Sequence, residues 1–499
     1  MSAFIDARTV PEGTVLEPDL AIVGAGPVGI SMALALANTP LRVVLLESGG
    51  MTFDAKTQAL YDGAEVGDPY LSLQASRVRF MGGSTNIWGG WCRPMDSIEF
   101  EERSWMPHSG WPFGVDALKP YYPRAQVLCE AGPWLYEKAE SWPQEEQPTV
   151  ALGDGGMVTR WFQFSKMRNS TLPTHFGERY AEDLKRVPRL STYIHANVTR
   201  LGLDAGGAKI NELDVATLSG RHFKVKPKCT VLAMGAVEIA RLMLASNDVM
   251  APGIGNAHDL VGRFFADHPI PRDTATLVLF DGKLAPYYMH NQVIHGAIMR
   301  AGLFPSEKYR RADHVLDSSI TIENPTKLDD LGQAALAATA SALGVDASQA
   351  TAYSLGCGIE VTPDPDRRFT LDTGRDALGM PKLKLHMRIA DSDFAHFRKT
   401  LTELGRQLLA SRTGMLRLNA KERGQWLAEL DWGNHHMGTT RAHADPRKGV
   451  VDANLQVHGI SNLFVAGNSV YPTYGAVNPT VNLVAMALRL TDHLKGQLR

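Results

Sequence analysis

LAIVGAGPVGISMALALANTPLRVVLLESGG, residues 20–50, is the stretch on which the fold turns. Four β-prone residues, Leu20–Val23, run into the glycine turn Gly24-Ala25-Gly26-Pro27-Val28-Gly29, and an alanine-rich helical pattern follows. The uncharged run from Leu20 to Ala37 has about the length of a membrane-spanning helix, but the three glycines and one proline inside it favour strand, tight loop and helix. Beyond the helix, the strongly apolar run Leu41–Leu46 ends in Glu47. Such a run suits a strand covered on both faces, hence a parallel sheet. Residues 19–50 therefore predict one βαβ unit and an α/β fold class.

The chemistry of that unit follows from its turn. Gly24, Gly26 and Gly29 allow the tight bend and a close backbone approach, while Pro27 opens a helix whose positive end suits a pyrophosphate. Glu47, 18 residues beyond Gly29, stands where a carboxylate binds ribose hydroxyls and disfavours a 2′-phosphate. A dinucleotide site is expected, with NAD and FAD both open at this point.

At 499 residues the chain exceeds a single core, so two domains are expected, interleaved along the sequence. With 51 basic and 53 acidic residues, no general field draws in nucleic acid or an anionic membrane. Cys92, Cys129, Cys229 and Cys357 are widely spaced, without metal-type pairing or a disulfide framework. The first twenty residues carry acids and prolines instead of a secretory pattern. A cytoplasmic protein with a small-molecule partner is expected.

Working outward, residues from Met51 on are irregular and rich in aromatics, glycine and proline, and read as surface or lining material. Regularity returns over 189–246, where TVLAMGA predicts a strand, a glycine turn and a helix. Residues 269–429 mix alternating segments, RRFTL and KLKLHMRI, with a long helical pattern from about Ala390 to Ser411. GQAALAATASALGVDA, 332–347, predicts a further helix, and NLFVAG a last strand before a loop and terminal helix.

In NHHMG, residues 434–438, two adjacent histidines admit three readings. A zinc site needs further ligands at metal spacing. A structural pair bonded to backbone is the ordinary fate of histidine. A catalytic base needs a partner, and Asn478 is the candidate: Asn478-Pro479-Thr480 opens the last helix, with Pro479 at its first position and the helix's positive end facing what precedes it.

Taken together, the Gly24 motif with LLESGG, GGSTN (82–86), ANV (196–198), LAMGAVEIARLMLAS, GRFFADHP (262–269), HHMGTTR and GVVDANLQVHGISNLFVAGNSVYPTYGAVNPT resemble the glucose-methanol-choline (GMC) family of FAD-dependent oxidoreductases over essentially the whole chain. The resemblance implies a Rossmann-like FAD domain (1–100, 190–268 and 430–499) interleaved with a substrate domain on an antiparallel sheet and helices (101–189 and 269–429). It implies His435 rather than His436 as catalytic base, with Asn478 as partner. Cofactor contacts are implied at Ser48, Gly83, Ser84, Thr85, Asn86, Val198, Gly235, Gly467, Asn468, Pro479 and Thr480, beside Gly24, Gly26, Pro27, Gly29 and Glu47. No metal is implied.

Two departures stand out. The loop Ser84–Trp88 lacks the histidine by which some sugar-oxidising relatives attach flavin covalently, so non-covalent FAD is expected. Gly467-Asn468 stand where many members have aspartate. GGWCRPMD, SGWPFGVDALKPYY and Asn478 are similar to the pyranose-oxidase side of the family. This implies oxidation of a pyranose or glycoside ring hydroxyl at position 2 or 3, with 3 preferred, and oxygen or a quinone-like acceptor. The alternatives are a non-sugar alcohol, a non-catalytic nucleotide-binding scaffold, and an NAD-linked dehydrogenase.

Overall fold

The computed structural model describes residues 4–136, 150, 152, 155–167, 170–419 and 421–498. Its nucleotide-type half is a six-stranded, all-parallel sheet, in spatial order Ile5–Asp6, Leu190–Ile194, Val43–Leu46, Leu20–Val23, Cys229–Leu232 and Leu463–Val465. Leu20 sits in register between Val43 and Cys229, and Val23 between Leu46 and Leu232. These central strands are buried along their whole length, which explains their unbroken apolar character. The helix Pro27–Ala35 packs on the terminal helix Thr480–Gln497, so the two ends of the chain close one core.

A second layer is a larger antiparallel sheet. It runs Gly414–Leu418, Ala275–Leu279, Thr351–Ile359, Ser318–Thr326, Ala297–Pro305, Met157–Phe164 and Trp91–Cys92, with Gln292–Ile294 paired to Ala297–Pro305. The long helix Asp391–Ala410 covers it, within a residue or so of the predicted span, and the predicted alanine-rich helix is Asp330–Leu343.

Three differences from the sequence reading have simple causes. Gly63–Gly67, expected to be irregular, is a strand: it adds in parallel to Pro381–Met387, beside Arg368–Arg375. GAEVG has no apolar run, and its partner lies more than 300 residues away. Asn197–Leu203 leaves the parallel sheet and joins Ile210–Ala216, His222–Val225 and Val15–Leu16 in a sheet of its own. Pro479 is the cap of the terminal helix, one place before its first residue. No helix among the described residues is long and apolar enough to cross a membrane.

Candidate active site

The parallel strands all end on one side, and the turns leaving Val23, Leu46, Leu232 and Val465 open into a cavity of ≈ 430 Å³. This is the crevice at strand carboxyl ends where open α/β sheets bind ligands. Three helices begin on its wall, capped by Gly26, Gly235 and Pro479, and none has a side-chain cap bond. Their first-turn amides and positive dipole ends suit a pyrophosphate and an electron-rich ring.

The glycines divide by purpose. Gly24 has φ +102° and a Cβ there would lie 3.0 Å from the Ala233 carbonyl, while a Cβ on Gly29 would lie 1.9 Å from the Gly24 oxygen, so protein packing requires both. A Cβ on Gly26 would meet nothing within 4 Å; it would project into the cavity a ligand needs. Pro27, Ser48, Gly83, Ser84, Thr85 and Val198 also line this space, as do Gly467, Asn468 and Thr480. Gly29 and Asn86 do not. Asn86 instead donates from Nδ2 to the Met81 and Gly83 carbonyls and holds the loop.

Glu47 lines the cavity, and its carboxylate accepts the backbone N–H groups of Ala25 (2.9 Å) and Gly49 (2.8 Å). It therefore shapes the glycine turn in addition to facing the space expected for a ribose. Sequence reading missed Arg77, Arg79 and Glu238, which also line the cavity. Glu238 bridges Arg77 at 3.2 Å and Arg79 at 2.9 Å. Burial opposes its ionisation, but the guanidiniums of Arg77, Arg241 and Arg79 win and hold it at about 2.

At the opposite end, His435 and Asn478, 43 residues apart, come together: Asn478 Nδ2 lies 3.2 Å from His435 Nε2, and both residues line the cavity. The other ring nitrogen, Nδ1, lies 2.7 Å from Nδ1 of His268, whose Nε2 is 2.8 Å from the Gly475 carbonyl oxygen. Asp267 accepts the backbone N–H groups of both His435 and His268 at 2.7 Å through one oxygen, and the Tyr70 hydroxyl at 2.7 Å through the other. A Cβ on Gly433 would fall 2.7 Å from His435 Nδ1, so glycine there leaves room for the imidazole.

This pocket favours neutral rings. Burial, then repulsion from His268 and His436, holds His435 well below the ordinary imidazole range, and burial takes His268 down to about 4. Asp267 is pushed up to about 6 by burial, against the hydrogen bonds from Tyr70 and the backbone. A neutral imidazole whose Nε2 lone pair is engaged only by the Asn478 amide can exchange that bond for a substrate hydroxyl and accept its proton.

His436 points elsewhere, toward Tyr70 and Phe265. Its buried Nε2 and the Asn468 Oδ1, both on the cavity wall, have no hydrogen-bond partner among the described residues. Buried polar atoms without partners are rare in a finished structure, and these suit the polar edges of a bound cofactor. Ile270, Trp432, Trp88 and Trp91 also line the cavity. Sequence reading missed Asp267 and His268, although ADHP pairs two polar residues inside an otherwise apolar segment. Among the described residues, no group of three or more His, Cys, Asp or Glu could hold a metal ion.

Residues 363–487 match the GMC oxidoreductase family model. The fructose dehydrogenase large subunit of Gluconobacter japonicus is 29% identical over 97% of this chain and 99% of its own. The chain is thus similar to the GMC oxidoreductases along its length and matches their family model over residues 363–487. That likeness is to FAD-dependent enzymes of a class acting on CH–OH groups. A C-glycoside 3-oxidase of Microbacterium trichothecenolyticum is 27% identical over 62% of this chain and 55% of that enzyme. Among solved structures, pyridoxine 4-oxidase from Mesorbium loti shares the GMC fold, with a TM-score of 0.55 and 18% identity over 95% of this chain and 98% of its own. The uncapped helix ends, the space before Gly26 and the partnerless His436 and Asn468 atoms all suit FAD.

Proposed function

We propose that this enzyme oxidises a secondary ring hydroxyl of a pyranose sugar or glycoside to a ketone, at position 2 or 3 with 3 preferred. The observation that carries the reading is the 3.2 Å approach of Asn478 Nδ2 to His435 Nε2 on the wall of the cavity. His435 Nε2 takes the hydroxyl proton, and Asn478 donates a hydrogen bond to the same oxygen and holds it. When bound, FAD supplies the acceptor for the carbinol hydride. Trp432, Trp88 and Trp91 give the cavity the apolar faces and polar edges that suit a sugar ring. Position 3 is favoured by the likeness to an enzyme named C-glycoside 3-oxidase, and the sugar class by the likeness to fructose dehydrogenase.

In this reading residues 1–100, 190–268 and 430–499 serve the cofactor, and 101–189 and 269–429 the substrate. FAD is held without a covalent bond, since Ser84–Trp88 offers no histidine. Oxygen or a quinone-like carrier would take the electrons away as final acceptor. Four buried, unpaired cysteines suit a reducing compartment such as the cytoplasm.

The test is anaerobic mixing of the flavin-loaded enzyme with a panel of free sugars, glycosides and non-sugar alcohols, followed by a peroxide assay in air. Bleaching by glycosides, with 3-keto products, is expected. Bleaching by non-sugar alcohols alone would overturn the sugar assignment, and no bleaching by any alcohol would overturn the base assignment as well.

A further inference from the structure

A hydrogen-bonded line of five groups ends at the proposed base. Asn478 Nδ2 lies 3.2 Å from His435 Nε2, His435 Nδ1 lies 2.7 Å from His268 Nδ1, and His268 Nε2 lies 2.8 Å from the Gly475 oxygen. The same peptide unit, Gly475–Ala476, donates its N–H to Asp317 Oδ2 at 2.9 Å. We infer that His268 is a positioning residue that sets the tautomer of His435, with its proton on Nδ1 and its lone pair on Nε2 toward the substrate space. The inference rests on the reading of His435 as base.

The direction of every bond follows from groups that can play only one role. A carbonyl oxygen accepts and never donates, so His268 must present Nε2–H to Gly475. A neutral imidazole has one N–H, which leaves the His268 Nδ1 with a lone pair. At 2.7 Å two facing lone pairs would repel, so His435 must donate from Nδ1. His435 Nε2 is then the acceptor, in agreement with the opposite end of the line, where the Asn478 Nδ2 amide can only donate. The reverse arrangement would set the lone pair of His268 Nε2 against the Gly475 oxygen.

The line is also braced. The carboxylate of Asp317 on the Ala476 N–H polarises the peptide and makes the Gly475 oxygen a better acceptor. Asp267 fixes the two histidines relative to each other through their backbone amides. His268 and Asp267 are almost completely buried, so water cannot substitute for either partner. Which ring nitrogen of a histidine carries the proton is set by the bond the other nitrogen makes, and a base locked in the wrong tautomer loses its function.

The inference separates two substitutions of similar size. Glutamine at 268 offers an amide oxygen toward His435 and an amide N–H toward Gly475, preserving one acceptor and one donor. Leucine offers neither. The experiment is ¹⁵N NMR of histidine-labelled, flavin-loaded enzyme, with His435 assigned by the signals lost in His435→Asn, alongside anaerobic flavin reduction by a substrate glycoside. In the wild type the His435 proton is expected on Nδ1. His268→Gln should keep it there and reduce its flavin within roughly tenfold of the wild-type rate, whereas His268→Leu removes the acceptor for Nδ1–H and lets the Asn478 amide turn its oxygen toward Nε2, so the proton should move to Nε2 and reduction slow on the order of a hundredfold. A wild-type proton on Nε2, or a His268→Leu tautomer unchanged from wild type, would overturn the relay while leaving the base reading intact. A His435→Asn enzyme that bleaches at the wild-type rate would overturn the base reading itself, whatever the tautomer spectrum.

Discussion

The two ends of the cavity are built on different principles. The proposed nucleotide end is mainly backbone: uncapped helix starts, a glycine turn shaped by Glu47, and space where a side chain would otherwise be. The proton end is side chains, His435, His268, Asp267, Asn478 and Tyr70, delivered by four separate segments and fixed by bonds of about 3 Å. A backbone site tolerates change of identity almost anywhere except where bulk enters it. A side-chain site tolerates changes of bulk poorly and changes of proton inventory worse, because every donor and acceptor has a counterpart.

Four substitutions press on this contrast. Gly26→Leu should abolish flavin binding, giving a colourless protein, yet leave apoprotein stability within roughly 0.5 kcal/mol, because no protein atom lies within 4 Å of the new Cβ. Absorbance and denaturant titration check both parts. Gly475→Ala should act in the opposite way, keeping the flavin while lowering stability by about 2 kcal/mol or more. That residue has φ +63°, and its Cβ would stand 2.9 Å from Asp317 Oδ2 and 3.0 Å from Glu99, displacing the carbonyl that His268 bonds. Flavin reduction should slow with it.

Glu99→Gln tests the charge cluster behind the Gly475 loop. There Glu99, Asp317 and Glu360 share Arg103 and Arg310, with Arg310 Nη1 donating to Glu99 at 2.5 Å. Burial raises Glu99 from 4.5 to about 7, opposed by Arg310 and aided by Glu360. A raised folded pKa means stabilisation fully present below pH 4.5 and lost as pH climbs through about 7. Relative to Glu99→Gln, the wild type should therefore lose stability on the order of 3 kcal/mol between those values. Parallel denaturation curves for the two proteins across that range would contradict the assignment. The smallest effect is expected from His436→Ala. His436 packs near Tyr70 and Phe265 on the cavity wall, while Asn478 bonds His435, so cofactor affinity should weaken while the reduction rate stays within about tenfold.

Legibility in the sequence follows the same division. The strand, turn and helix of Leu20–Ala35 are contiguous, so local pattern sufficed to place the sheet and the cofactor end. His435 and Asn478 were found through motif likeness, and the fold brings them together. His268 lies within GRFFADHP, but its role is not legible there, because its bonds reach across 167 residues of chain to His435 and 207 to Gly475. Nothing local distinguishes such a histidine from a core one. Gly63–Gly67 was misjudged for the related reason that its pairing comes entirely from a distant strand.

The most direct test is stopped-flow anaerobic reduction of the bound flavin by a glycoside substrate, comparing wild type with His435→Ala at matched flavin content. The expected result is a rate constant lower by a factor on the order of a hundred or more, with the yellow spectrum intact before mixing. Equal rates in the two proteins would show that the imidazole beside Asn478 does not take the proton.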